Sequence, residues 1–212
     1  MRLGIMGGTF DPIHYAHLFI AEEARARFAL DRVLFIPNGD PPHKKDYEIT
    51  PARHRYAMAL IATYNNPAFD CSPMEIQRPG PSYTVDTLRL LRRQYPEAEL
   101  FYLTGVDAVA EILTWRQPEE VLEMATFLAA LRPGYDLKTL QERLPHAYLK
   151  RILLLGSTPL GISSTEIRER LHQNLPVRYL LPDGVLEYIY KHNLYAAASA
   201  GPNVPNARET TD

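Results

Sequence analysis

The feature that most constrains this chain is its alternation of short apolar runs with longer stretches of helical periodicity. Candidate strands occupy residues 3–6, 32–36, 69–74, 100–103, 126–131 and 151–155. Between them, apolar residues recur at three- and four-residue spacing. One set is Leu18, Ile20, Ala21, Ala24 and Phe28, and a second is Tyr56, Met58, Ala59, Leu60 and Ala62. Val85, Leu88 and Leu91 make a third, and Leu137, Leu140 and Leu144 a shorter fourth. Strand and helix in this rotation build βαβ units, and therefore a mainly parallel sheet. Runs such as RVLFIP and RILLLG are apolar almost throughout, as strands covered on both faces must be. The expected fold class is α/β, a doubly wound, mainly parallel sheet with helices on both faces and a small helical C-terminal part.

A chain of 212 residues, 46% hydrophobic and 23% charged, suffices for one domain with a full core. Residues 1–195 are expected to form that single domain. From 196 to 212 periodicity is lost, so a disordered tail is expected there. The formal net charge of −2 supplies no general attraction for nucleic acid or anionic lipid, so neither is an expected partner. Cys71 is the only cysteine, which removes internal disulfides and multi-cysteine zinc sites. The opening MRLGIMGG lacks the apolar core of a secretory signal, and no apolar run reaches the roughly 18 residues of a membrane span. A cytoplasmic location is expected, and homo-oligomerisation is left open.

In an open α/β sheet, ligands bind beyond the carboxyl ends of the strands. Here GGTFDPIHYAH, PNGDPPHKK, QRPGPSYT, TGVDAV and a last stretch ending in GISSTEIRER each follow a candidate strand. Five such loops on one rim favour an enzyme or a small-ligand binder. The first contains neither G-x-G-x-x-G nor the Lys-Ser/Thr of a P-loop. His14 and His17 stand three apart at a helix start. They read as core histidines, as two members of a metal site lacking a third ligand, or as part of an anion seat. Their place beside Gly7 and Gly8, at a helix N-terminus, points to the anion. In the last loop Ser163, Ser164 and Thr165 open a helix, and one hydroxyl suffices for capping. Arg168 opposes the helix dipole there unless an anion shares that end, which makes a second phosphate site the sharper reading.

GGTFDPIHYAH resembles the G-x-F-x-P-x-H-x-G-H signature of the nucleotidyltransferase α/β phosphodiesterase superfamily, and ISSTEIR resembles its ISST-x-I-R partner. PPHK, SYTVDTL and GVDAV…TW are similar to stretches of the bacterial nicotinate-mononucleotide adenylyltransferases. Ala16 stands where that signature has glycine. The resemblance implies a Rossmann-like fold and transfer of an adenylyl group from ATP to nicotinate mononucleotide, with Mg²⁺ carried on ATP and no protein-held metal. It implies His17, His14 and Arg168 as catalytic residues. Gly8, Thr9, Phe10, Gly105, Asp107, Ile162, Ser163 and Ser164 would join them in binding ATP. Lys44, Tyr83, Thr84 and Trp115 would bind the mononucleotide. Taken singly, Lys44 also reads as a solvated lysine, Trp115 as a core residue and Asp107 as a helix cap. Other acceptors within the superfamily, a non-catalytic nucleotide sensor and a zinc hydrolase are the competing functions.

Overall fold

The computed structural model describes residues 1–41, 48–131, 140, 143–156 and 160–196. Six strands form one parallel sheet: β1 (Arg2–Gly8), β2 (Arg32–Pro37), β3 (Phe69–Cys71), β4 (Glu99–Gly105), β5 (Thr126–Ala130) and β6 (Ile152–Leu155). Their spatial order is β3-β2-β1-β4-β5-β6. The chain winds outward from β1 in one direction, then returns to lay β4 against β1's other edge. The crevice where the order reverses therefore opens at the carboxyl ends of β1 and β4.

Around the sheet lie α1 (Tyr15–Arg27), α2 (Ala52–Thr63), α3 (Thr84–Gln94), α4 (Val106–Ala110), α5 (Pro118–Met124), α6 (His146–Leu149), α7 (Ser164–His172) and α8 (Asp183–Lys191). Strand side chains alternate between two cores. Met6, Val33, Phe35, Phe101 and Leu103 meet Ala21 and Ala24 of α1, Met58 of α2, Ile167 of α7 and Val185 of α8. Leu3, Ile5, Leu34, Ile36, Leu100 and Tyr102 meet Val85, Leu88 and Leu91 of α3 and Val121 of α5. This period of two places helices on both faces, as a doubly wound sheet requires.

All six strands differ from the sequence expectation by one to three residues at an end, and three of the differences have a plain cause. β3 stops at Cys71 rather than 74, because Pro73 has no N–H to continue the ladder. β6 begins at Ile152, since the Arg151 N–H is taken by the Tyr148 carbonyl at 2.9 Å. β1 runs on to Gly8, pairing Gly7 with Ile36 and Gly8 with Pro37. Of the fourth helical stretch, most lies outside the described residues; where it is described, the Leu144 N–H donates to the Leu140 carbonyl at 3.0 Å. The expected tail beyond Ala196 also lies outside them. No helix among the described residues is long and apolar enough to cross a membrane.

Gly7 is set by close approach. A β-carbon there would overlap the hydroxyl of Tyr102, which rises from β4 beside it. Gly7→Ala is expected to destabilise the fold by about 1–3 kcal/mol in urea denaturation. Adding Tyr102→Phe removes the overlapping atom and is expected to recover most of that loss.

Candidate active site

The loop between β1 and α1 leaves the sheet by an unusual path. Phe10 is left-handed at φ +51°, and the Asp11–Pro12 peptide is cis. Asp11 is 1% exposed and His14 4%, so the loop is an internal element of the rim. His14 caps α1, and its backbone N–H donates to His17 Nδ1 at 3.3 Å. A ring nitrogen that accepts carries no proton, so the hydrogen of neutral His17 sits on Nε2. The two imidazoles stack with centroids 3.7 Å apart, and Phe10 meets His17 edge-on at 5.1 Å. The sequence thus produces a fixed pair of rings beside a helix N-terminus. Ala16 is buried in the first turn of α1.

The start of α7 grips this loop. Ser163 caps the helix by accepting from the Glu166 N–H at 3.1 Å. Ser164 Oγ donates to the Pro12 carbonyl at 2.8 Å, and Arg168 Nη1 donates to the Asp11 carbonyl at 2.8 Å. Arg168 Nη2 also donates to Thr165 Oγ1 at 3.3 Å. Ile162 packs against the adjoining core. The two stretches paired by their sequence signatures are therefore joined by hydrogen bonds, with Arg168 folded back to the start of its own helix.

A third set of contacts was not expected from the sequence. Arg55, 1% exposed, donates from Nη1 to the Thr9 carbonyl at 2.8 Å, from Nη2 to the Gly39 carbonyl at 3.1 Å, and from Nε to the Thr50 carbonyl at 2.8 Å. Its signal lies in ARHRYAMALIA, where Arg55 falls on the same helical face as Met58, Ala59 and Ala62. The loops after β2 and β3 are tied as well: the Gly39 N–H donates to Ser82 Oγ at 3.0 Å and the Ser82 N–H to the Asp40 carbonyl at 2.8 Å. Glu75 is buried beneath them, accepting from Thr87 Oγ1.

Between these loops lies a cavity of 410 Å³ at the reversal point. Gly7, Gly8 and Thr9 line one side, and Tyr83, Thr84 and Trp115 the other, with Asn38, Tyr102 and Arg116 between and around them. Thr84 opens α3, so its N–H and that of Val85 have no partner within the helix. Trp115 stands edge-on to Tyr102 at 6.2 Å and to Phe127 at 6.0 Å, one side in the core and one on the cavity. The Arg116 guanidinium lies 4.8 Å over the Tyr83 ring. Burial pushes the Tyr102 phenol well above its ordinary range, so it stays protonated. Gly105 caps α4 and Asp107 lies in that helix's first turn. Lys44 lies outside the described residues.

Fold and rim together define a doubly wound α/β protein with a cavity at the reversal of its strand order. Residues 5–170 match the model of the cytidylyltransferase-like family. The chain is 52% identical over 198 residues to a probable nicotinate-nucleotide adenylyltransferase of Moorella thermoacetica, covering 92% of this chain and 91% of that protein. A protein of Leifsonia xyli subsp. xyli with the same name is 50% identical, covering 93% and 96%. The chain belongs to the nicotinate-nucleotide adenylyltransferase family. Its fold is shared with the Plasmodium falciparum nicotinic acid mononucleotide adenylyltransferase complexed with NaAD, at TM-score 0.73 and 21% identity, covering 92% of this chain and 97% of that one.

Two outcomes follow from the buried charges. Arg55→Met leaves the Thr9, Gly39 and Thr50 carbonyls without that donor and is expected to cost about 3 kcal/mol or more, read as a fall in urea midpoint. Burial raises the Glu75 carboxyl, against the hydrogen bonds from Thr87 and Ser82 and the charges of Arg78 and Arg55. A carboxyl raised on folding binds its proton more tightly in the native state. Stability therefore falls as pH rises above about 4.3 and through the raised folded value. Glu75→Gln is expected to flatten that decline in thermal melts taken between acid and neutral pH.

Proposed function

We propose that this chain transfers the adenylyl group of ATP to nicotinate mononucleotide, releasing pyrophosphate and forming deamido-NAD. The observation that carries the reading is the juxtaposition at the β1/β4 reversal: a histidine-bearing helix start gripped by α7, and a cavity closed by Trp115 and the start of α3. Relatives about half identical over nine-tenths of the chain carry the same name, and the Plasmodium structures hold NaAD in one case and APC in another. Residues 1–195 are read as one nucleotidyltransferase domain, and the use of ATP supports a cytoplasmic location.

The nucleophile is the mononucleotide's phosphate monoester, whose second pKa of about 6 leaves it largely dianionic at neutral pH. No general base is required. One of its oxygens attacks the α-phosphorus of ATP as the bond from that phosphorus to the pyrophosphate oxygen breaks, and pyrophosphate leaves with the electron pair. The task is to bring two polyanions together and to stabilise charge on the transferring phosphoryl group. His17 offers an N–H at Nε2 held by the His14 backbone, and is assigned to the α-phosphate together with His14. Gly8, Thr9 and Phe10 carry the nucleotide along the loop, with Gly105 and Asp107 on the ribose side. The β- and γ-phosphates are assigned to the start of α7, where Ile162, Ser163, Ser164 and Arg168 lie. Ser164 and Arg168 also fix the Pro12 and Asp11 carbonyls.

Among the described residues, no group of three or more His, Cys, Asp or Glu side chains is gathered to hold a metal. Mg²⁺ is assigned to the ATP phosphates, as part of the substrate, where it neutralises the departing pyrophosphate. The mononucleotide's pyridine ring is assigned to Trp115, its carboxylate to the N–H groups at Tyr83 and Thr84, and its phosphate to Lys44. A carboxylate accepts at both oxygens, whereas an amide would aim its NH₂ at those donors.

Steady-state rates with ATP are expected to favour nicotinate mononucleotide over nicotinamide mononucleotide by about 100-fold or more in kcat/KM. Equal values would overturn the assignment of the α3 start. His17→Ala is expected to lower kcat by about 100- to 1,000-fold with a much smaller change in ATP affinity. Retained turnover would remove His17 from the reaction.

A further inference from the structure

The phosphate loop is held from a part of the chain far from it in sequence. Helix α8 ends at a left-handed Asn193 (φ +48°), and the Leu194 N–H reaches back to the Ile189 carbonyl at 3.0 Å, reversing the chain. Tyr195 follows and is itself left-handed at φ +63°, a region that residues with a β-carbon avoid. The strained backbone turns the phenol inward, against the core that α1, α7 and α8 share. Its O–H donates to Asp11 Oδ1 at 2.6 Å, across 184 positions of sequence.

Asp11 is then fixed on every side. Oδ1 accepts from Tyr195, Oδ2 accepts from the Thr50 N–H at 3.3 Å, and the backbone carbonyl accepts from Arg168 at 2.8 Å. Three residues later comes His14, whose backbone N–H orients His17. Any tilt at Asp11 therefore propagates through the Pro12–Ile13 link to the cap of α1 and to both imidazoles. Because burial and the neighbouring Asp11 charge push the Tyr195 phenol far above its ordinary range, it remains a donor at all physiological pH values.

We propose that Tyr195 is a positioning residue for adenylyl transfer: by donating to the buried Asp11 carboxylate, it sets the geometry of the loop that presents His14 and His17. The proposal rests on the reading that this loop receives the phosphates of ATP. Tyr195 touches neither substrate in this scheme. Its effect reaches the reaction through Asp11 and the two imidazoles, so it should fall on turnover with ATP and spare the KM of the mononucleotide, whose pocket is lined by Tyr83 and Trp115.

The test uses the full chain with Tyr195→Phe, Asp11→Asn and the double variant. Phenylalanine keeps the ring's packing and removes only the O–H. Tyr195→Phe is expected to lower kcat/KM for ATP about 10-fold, while KM for nicotinate mononucleotide stays within about 2-fold. If both residues act through one contact, the double variant is no worse than Asp11→Asn alone. Unchanged ATP kinetics, a rise of more than about 2-fold in KM for nicotinate mononucleotide, or losses that simply add would each overturn the proposal. Amide hydrogen exchange over residues 9–14 provides a readout independent of turnover. Faster exchange in Tyr195→Phe supports the latch, and unchanged exchange overturns it. A wild-type chain that turns over no ATP with nicotinate mononucleotide would instead sink the functional reading, and the exchange measurement would still decide the latch.

Discussion

The guanidinium of Arg55 is the interaction on which the site depends. It sits inside the protein and meets three backbone carbonyls, from Thr9, Gly39 and Thr50. These carbonyls lie just past β1, just past β2 and just before α2, outside any strand ladder or helix. A planar cation with donors spread over several directions satisfies all three from one position. Lysine, a point charge on a single stem, has no such spread. The geometry joins the loop after β1, the loop after β2 and the entry to α2 into one rim.

That rim works because β1 is central. Its neighbours are β2 on one side and β4 on the other, so the connections leaving it and β4 diverge to opposite faces. The divergence leaves an opening that no crossover covers. Two helix starts face it from opposite faces of the sheet, α1 with its histidines and α3 with Thr84. The start of α3 leaves the Thr84 and Val85 N–H groups without a helical partner at the positive end of its dipole. The Tyr15 N–H of α1 instead donates to the Leu180 carbonyl at 3.1 Å, and the histidines carry the donors there. The net charge of −2 is compatible with a site for polyanions because the field is local.

The sheet was legible in the sequence because parallel strands buried on both faces must be apolar almost throughout, as RVLFIP and RILLLG are. The paired loops were legible because glycine, histidine and consecutive hydroxyls fall immediately after strands and before helical patterns. What the sequence concealed were contacts between distant segments. Arg55 looks like one more polar residue at a helix start, and only the packed neighbours of α2 reveal that it points inward. Tyr195 looks like the last aromatic of a fading helix. Its function as a donor to Asp11 depends on two left-handed residues whose backbone angles no composition encodes. The position of Arg168 against the dipole suggests an anion from sequence alone; the structure shows its guanidinium holding the Asp11 carbonyl. Strand ends were misjudged where a proline or a competing turn ended the ladder, as at Pro73 and Arg151.

The short outer strands bear on how such molecules coexist at high concentration. An open sheet has two borders, each a row of backbone groups able to accept another chain's strand. Here one border is β3, three residues long and followed by Pro73, and the other is β6, four residues long and preceded by a tight turn at Tyr148–Arg151. Asp70 of the first border pairs with Arg32 of β2 at 2.8 Å, which ties the short edge strand to its neighbour. Both borders are brief, which limits the ladder that a joining strand could form on either side.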